Sequence, residues 1–166
     1  MQSMLPDGTA QDRLERLLWS VLEPVINADG FECVDLQLQR NRRARRLGVI
    51  VYRADGVDAA SLESLAREIH FQLPLIGDAP GTGLADVTLE VSSPGVDRVL
   101  RAPREYAIFT SRAVRVLRAQ ATEWEAAVIV SSVGETVTLR FDHGEETVPI
   151  ASIRRAQLTG AERGST

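Results

Sequence analysis

The chain is predicted to be α+β: an N-terminal α-β-β-α-β domain over residues 1–97, then a small β-barrel domain with a short leading helix over residues 98–166. Three observations carry this. Apolar residues recur at helical spacing in two stretches of the first half, and at a period of two in three others. After Ser93-Pro94-Gly95 the helical pattern gives way to short alternating runs parted by turns.

Leu14, Leu17, Leu18, Val21, Leu22 and Val25 lie on one face of a first helix starting near Gln11. Pro24 is expected to kink or end it, and Asp29-Gly30 to stop it. In the strand that follows, Val34, Leu36 and Leu38 point one way and Asp35, Gln37 and Gln39 the other. Leu47, Val49 and Val51 mark a second strand. Asp55-Gly56 turns the chain, and Asp58 is placed to cap a second helix. That helix has Leu62, Leu65, Ala66, Ile69 and Leu73 on its core face, and Pro74 is expected to close it. Val87, Leu89 and Val91 form a third strand. Both helices should pack on one face of the three-stranded sheet, with a right-handed crossover between strands two and three.

The second half opens with a short helix at about Pro103 to Phe109. Short strands follow, marked by Val114 and Val116, by Ala126, Val128 and Val130, and by Val137, Leu139 and Phe141. Val148 and Ile150 mark a fourth, and Ile153 to Leu158 a fifth. Turns at Val133-Gly134-Glu135 and Asp142-His143-Gly144 separate them at the spacing of an SH3-like or Sm-like barrel. No internal repeat is present, and the tail from Gly160 is expected to fray.

Composition excludes several classes. Hydrophobic residues make up 44% and charged residues 25%, ordinary values for a folded soluble protein. No apolar run approaches the roughly 18 residues of a membrane span, and the polar stretch Met1 to Ala10 lacks the basic and apolar regions of a secretory signal. The single cysteine, Cys33, reads as a buried thiol in a reducing, cytoplasmic setting. The net charge of −4 is unevenly spread: residues 1–97 carry −6 and residues 98–166 carry +2. All 19 basic residues are arginine, whose forked donors and flat face suit phosphates and bases.

The inventory for catalysis is empty, so no catalytic, metal or cofactor residue is assigned and the chain is read as a non-enzyme. His70, His143 and Cys33 are not at ligand spacing. Gly-x-Ser-x-Gly and the phosphate-binding glycine loops are absent. Ser92 and Ser93 read as hydroxyls that satisfy backbone groups at a strand end.

Binding chemistry is carried by two arginine clusters. Arg40, Arg42, Arg43, Arg45 and Arg46 fall within seven residues that contain no acid. A solvated hairpin tip is the plain alternative, but mutual repulsion favours a loop that meets phosphates. The second cluster is Arg98, Arg101, Arg104, Arg112, Arg115 and Arg118, with Glu105 the one acid among them. Arg101, Arg115 and Arg118 are candidates for a ribonucleic-acid surface, with a solvated face equally open. Asp97 and Arg98 are expected to form a salt bridge at the domain joint. Trp124 reads as a core or edge aromatic in preference to an exposed binding one, and Trp19 as an interdomain or core residue.

Leu89-Glu90-Val91-Ser92-Ser93-Pro94-Gly95-Val96-Asp97-Arg98 resembles the signature of the bacterial ribosome maturation factor RimP family. It lies where that family places it, between the α-β-β-α-β domain and the barrel. Residues 25–35, 47–57, 101–106 and 148–156 are similar to flanking family segments, so the resemblance covers roughly residues 12–160. The chain departs from the pattern at Val99, where the family usually has proline, and at Ser111 and Ala127, which replace common glycines. The segment Leu75 to Asp86 is also longer. The resemblance marks Ser92, Ser93, Pro94, Gly95, Asp97 and Arg98 as signature and interdomain residues. It implies a monomeric, non-catalytic factor that binds the precursor of the 30S small ribosomal subunit. Its partners would be 16S rRNA and a small-subunit ribosomal protein docking on the barrel, with no cofactor and no membrane.

The alternative is a general KH/Sm-like RNA-binding regulator. A KH domain needs Gly-x-x-Gly to clamp nucleotides. Gly56-Val57-Asp58-Ala59 ends wrongly for that, and aromatics for base stacking make up only 5% of the chain.

Overall fold

The structure, a computed structural model, describes residues 10–40, 42, 44–77, 84 and 86–160. Its contacts divide the chain into two units, Met1–Pro94 and Gly95–Thr166. The first contains α1 (Ala10–Ala28), β1 (Glu32–Arg40), β2 (Arg45–Tyr52), α2 (Ala59–Gly77) and β3 (Val87–Ser92). The second contains α3 (Pro103–Ile108), then β4 (Ala113–Arg118), β5 (Glu125–Val133), β6 (Thr136–Phe141), β7 (Gly144–Pro149) and β8 (Ile153–Leu158). A short 3-10 turn, Ile150–Ser152, joins β7 to β8.

In the first unit the sheet order is β1-β2-β3, with β1 antiparallel and β3 parallel to β2. Leu18, Leu22 and Ile26 of α1 and Leu65, Ile69 and Leu73 of α2 are buried in one core with Leu36, Leu38, Leu47, Val49, Val51 and Val87. Each such side chain contributes about 1.5–3 kcal/mol by leaving water. The stripe on α1 is centred one position later than the sequence suggests: Ile26 is buried and Leu17 is exposed. In β1 the register shifts between Cys33 and Asp35, and at this bulge two consecutive residues are buried: Val34, and also Cys33, which joins Leu36 and Leu38 in the core cluster.

Neither proline ends its helix. Pro24 lies within α1 and Pro74 within α2. Both are exposed, so the carbonyl each deprives of a partner can turn to water. Burial of Ile26 and of Ile76 beyond them holds the last turn in place. α1 stops at Gly30, whose φ of +82° is costly for any residue with a Cβ. There Phe31 N–H donates to Ile26 O at 3.2 Å. Asp58 caps α2 through Oδ1, which accepts from Ser61 N–H at 2.7 Å.

The second unit is a five-stranded antiparallel sheet in the order β7-β6-β5-β4-β8, the strand complement of the expected barrel. Among the described residues the ladder is open between β7 and β8. Val114, Val116, Val137, Leu139, Phe141, Ala156 and Leu158 turn inward, and α3 adds Tyr106 to the buried set. β5 presents the face opposite to the expected one: Ala127 and Ile129 are buried, while Ala126 is exposed and Val128 and Val130 are half-buried. Three alternating apolar residues looked like the core face, but Ala126 pairs with the outward-facing Arg115, which fixes the phase. The segment Arg98–Leu100 lines the free side of β8, with Leu158 N–H donating to Arg98 O and Leu100 N–H to Ala156 O.

Candidate nucleic-acid interface

The first cluster sits at the tip of the β1–β2 hairpin. Arg40 pairs in register with Arg45, and Gln39 with Arg46. Like charges directly opposite each other repel, so the tip is held together by the strands below it. Arg40 and Arg42 are exposed and Arg45 is half-buried. Arg46 forms an ion pair with Glu90 of β3, which cancels much of its charge. Arg43 lies outside the described residues. The tip borders a concavity of about 680 Å³ lined by Arg40, Arg45, Arg46, Thr88 and Glu90.

The signature segment is polar and mostly open. Ser92 ends β3 in register with Ile50 and is half-buried, Ser93 is exposed, and Pro94 is half-buried. Among the described residues neither serine hydroxyl bonds to a strand-end backbone group. The end of β3 is set by the turn after it, in which Arg98 N–H donates to Gly95 O at 3.2 Å. A Cβ on Gly95 would come within 3.2 Å of Asp97 Oδ1, so the aspartate folds back over this glycine. Asp97 O accepts from Gln157 Nε2 at 2.7 Å.

Arg98 pairs with Glu105. Its Nε donates to Glu105 Oε1 at 2.9 Å, and a second guanidinium nitrogen donates to the same oxygen. The other carboxylate oxygen accepts from Arg101 N–H and from Ala102 N–H, the latter at 3.1 Å. Glu105 is 1% exposed. Ala102, at the N-cap of α3, has no acceptor of its own, so Glu105 supplies only the return half of a capping box. Burial, with the Glu105 charge beside it, pushes the Tyr106 hydroxyl up to about 12. The sequence contained a signal for Glu105: an acid three residues into a helix whose first residue is proline.

The remaining candidates divide by how their charge is matched. Arg118 Nε lies 2.8 Å from Glu125 Oε1 and another of its nitrogens 3.0 Å from Glu146 Oε2, with its guanidinium over the Phe141 ring. Two carboxylates neutralise it, and it holds Glu146 down at about 2, with a further bond from His143. Arg115 is held by neutral groups. Its Nε and a terminal nitrogen donate to Gln157 Oε1 at 3.0 and 2.6 Å, and its guanidinium carbon lies 4.7 Å from the centre of the Trp124 ring. Trp124 is not a core residue; it is 38% exposed. Arg101 is exposed. Arg154 and Arg155 of β8, which sequence reasoning passed over, are exposed as well. The signal for Arg155 was its phase in the last strand, opposite to that of the buried Ala156 and Leu158.

Trp19 is half-buried on α1 and its indole N–H donates to Glu23. No helix among the described residues is long and apolar enough to cross a membrane. No group of three or more His, Cys, Asp or Glu able to hold a metal ion gathers among them.

Residues 21–97 match the family model of the RimP N-terminal domain. That span covers the end of α1, the whole three-stranded sheet, α2 and the signature as far as Asp97. The match over these residues supports placing the N-terminal domain of this chain with the RimP N-terminal domains.

Proposed function

We propose that the chain is a cytoplasmic, monomeric, non-catalytic factor that binds the precursor of the 30S subunit and assists its maturation. The observation that carries this reading is the RimP N-terminal domain at residues 21–97. The residues suit such a role. Arg40 and Arg42 stand exposed at a hairpin tip, where cations can meet a phosphate backbone without disturbing the strands beneath. The negative balance of residues 1–97 is complementary to basic ribosomal proteins. In this reading 16S rRNA meets the arginine surfaces of both domains, residues 1–97 and 98–166. A small-subunit ribosomal protein docks on the C-terminal sheet.

The test is co-sedimentation of the purified chain with immature small subunits, mature small subunits and naked rRNA over a salt series. Preference for immature subunits that persists as salt rises is the expected result. Equal binding to all three, collapsing with salt, would leave only nonspecific arginine–phosphate attraction and would overturn the proposal.

A further inference from the structure

We infer that Trp124, Arg115 and Arg155 form a stacking site for an unpaired RNA base on the outer face of the second unit. The inference rests on the RNA-binding reading above and names the residues and the chemical form of the RNA. Its first support is the state of Arg115. Arg46, Arg98 and Arg118 each face a carboxylate, whereas Arg115 is fixed by an amide oxygen and an indole ring. Among the described residues no acid pairs with it, so its full positive charge is retained and already oriented. A guanidinium ordered before binding loses less entropy when a phosphate or a base meets it.

The second support is strand register. Arg115 stands opposite Gln157, and Leu117 opposite Arg155. Residues two apart on a strand share a face, so Arg115 and Arg155 lie on the same side of the sheet as diagonal neighbours, about 7–8 Å apart. Arg155 is exposed and, among the described residues, likewise has no acidic partner. The third support is Trp124 itself, more than a third exposed with Arg115 on its ring. Aromatic rings accept bases irrespective of sequence, and a cation on the ring strengthens the platform. Glu123, exposed beside the indole, repels phosphate, which leaves the Arg155 side for the backbone of the strand. An acidic peptide could use the two arginines but would gain little from the indole, so single-stranded RNA is the favoured partner.

Because the chain has two tryptophans, the test uses the Trp19→Phe full chain, in which Trp124 alone reports. Its fluorescence is titrated with an eight-nucleotide oligouridylate, an RNA duplex of equal length and oligoglutamate. In the unmodified chain, the two indole N–H resonances separate Trp124 from Trp19 without any substitution. Saturable quenching by the single strand, weaker with duplex and absent with oligoglutamate, is expected. Trp124→Leu should lower affinity about ten-fold, and Arg155→Ala should flatten the salt slope by roughly 0.7. The inference is overturned if neither quenching nor an indole shift appears, if duplex or oligoglutamate acts as strongly, or if Arg155→Ala leaves the slope unchanged. Oligonucleotide binding that fails while the chain still co-sediments with immature subunits sinks only the stacking site. The converse result sinks only the assembly role.

Discussion

The guanidinium of Arg98 closes on the buried carboxylate of Glu105, with Nε 2.9 Å from Oε1, and so ties the last residue of the signature to the start of α3. The same carboxylate receives two backbone N–H groups, from Arg101 and Ala102. Arg98 is 10% and Glu105 1% exposed at the side chain. Removing one partner of such a pair leaves an uncompensated charge in a dry site. Arg98→Ala and Glu105→Ala are each expected to destabilise the second unit by about 3–5 kcal/mol. Urea unfolding followed by circular dichroism measures this, and a change below about 1 kcal/mol would refute it.

Ser111 has φ +70° and carries a Cβ in the left-handed region. It is held there because its N–H donates to Ile129 O at 2.7 Å. Ser111→Gly is expected to stabilise the second unit by roughly 1 kcal/mol, since glycine adopts this conformation freely. A raised midpoint with an unchanged denaturant slope is the expected result.

The free edge of β1 is closed by side chains of α1. Leu38 N–H donates to Glu15 Oε1 at 2.9 Å, and Gln11 Nε2 donates to Leu38 O at 2.7 Å. These bonds occupy backbone groups that another strand would otherwise pair with. Glu15→Ala is expected to cost about 1 kcal/mol and to increase self-association at high concentration. Sedimentation of the variant and its parent at matched concentrations tests the second effect.

At the hairpin tip the arginines are not equivalent. Replacing Arg40 and Arg42 with Ala should weaken binding to immature subunits and lower the salt slope by about one for each phosphate no longer neutralised. Arg46→Ala should change the slope less, because Glu90 already answers its charge. Equal effects at Arg42 and Arg46 would show that the Glu90 pair opens on binding.

Glu146 has its carboxyl held at about 2 against an ordinary 4.5, first by Arg118 and then by His143. A lowered folded-state value stabilises the fold above the unfolded value and loses that contribution as pH falls. The contribution is therefore complete above about pH 4.5 and disappears towards pH 2. In acid titrations of stability, Glu146→Gln should remove part of the slope in that window and leave the neutral region flat.

The elements of both units were legible from periodicity because burying one face of a helix or strand demands it: Leu65, Ile69 and Leu73 on α2, and Val137, Leu139 and Phe141 on β6, are buried as the spacing requires. The same local rule misled where two faces were apolar, at Ala126, Val128 and Val130. It also misled at Pro24 and Pro74, where tertiary burial carried each helix past its proline. The arginine clusters were visible as charge, since charge is a property of composition. What each arginine does was not visible, because it depends on which carboxylate the fold brings within reach. Glu105 lies seven residues from Arg98, Glu146 twenty-eight from Arg118, and Gln157 forty-two from Arg115. By itself, then, the sequence determined the fold class, the signature and the charge. Only tertiary structure decided that Arg118 is neutralised while Arg115 stays oriented and uncancelled, because side-chain pairing is set by strand register and not by distance along the chain.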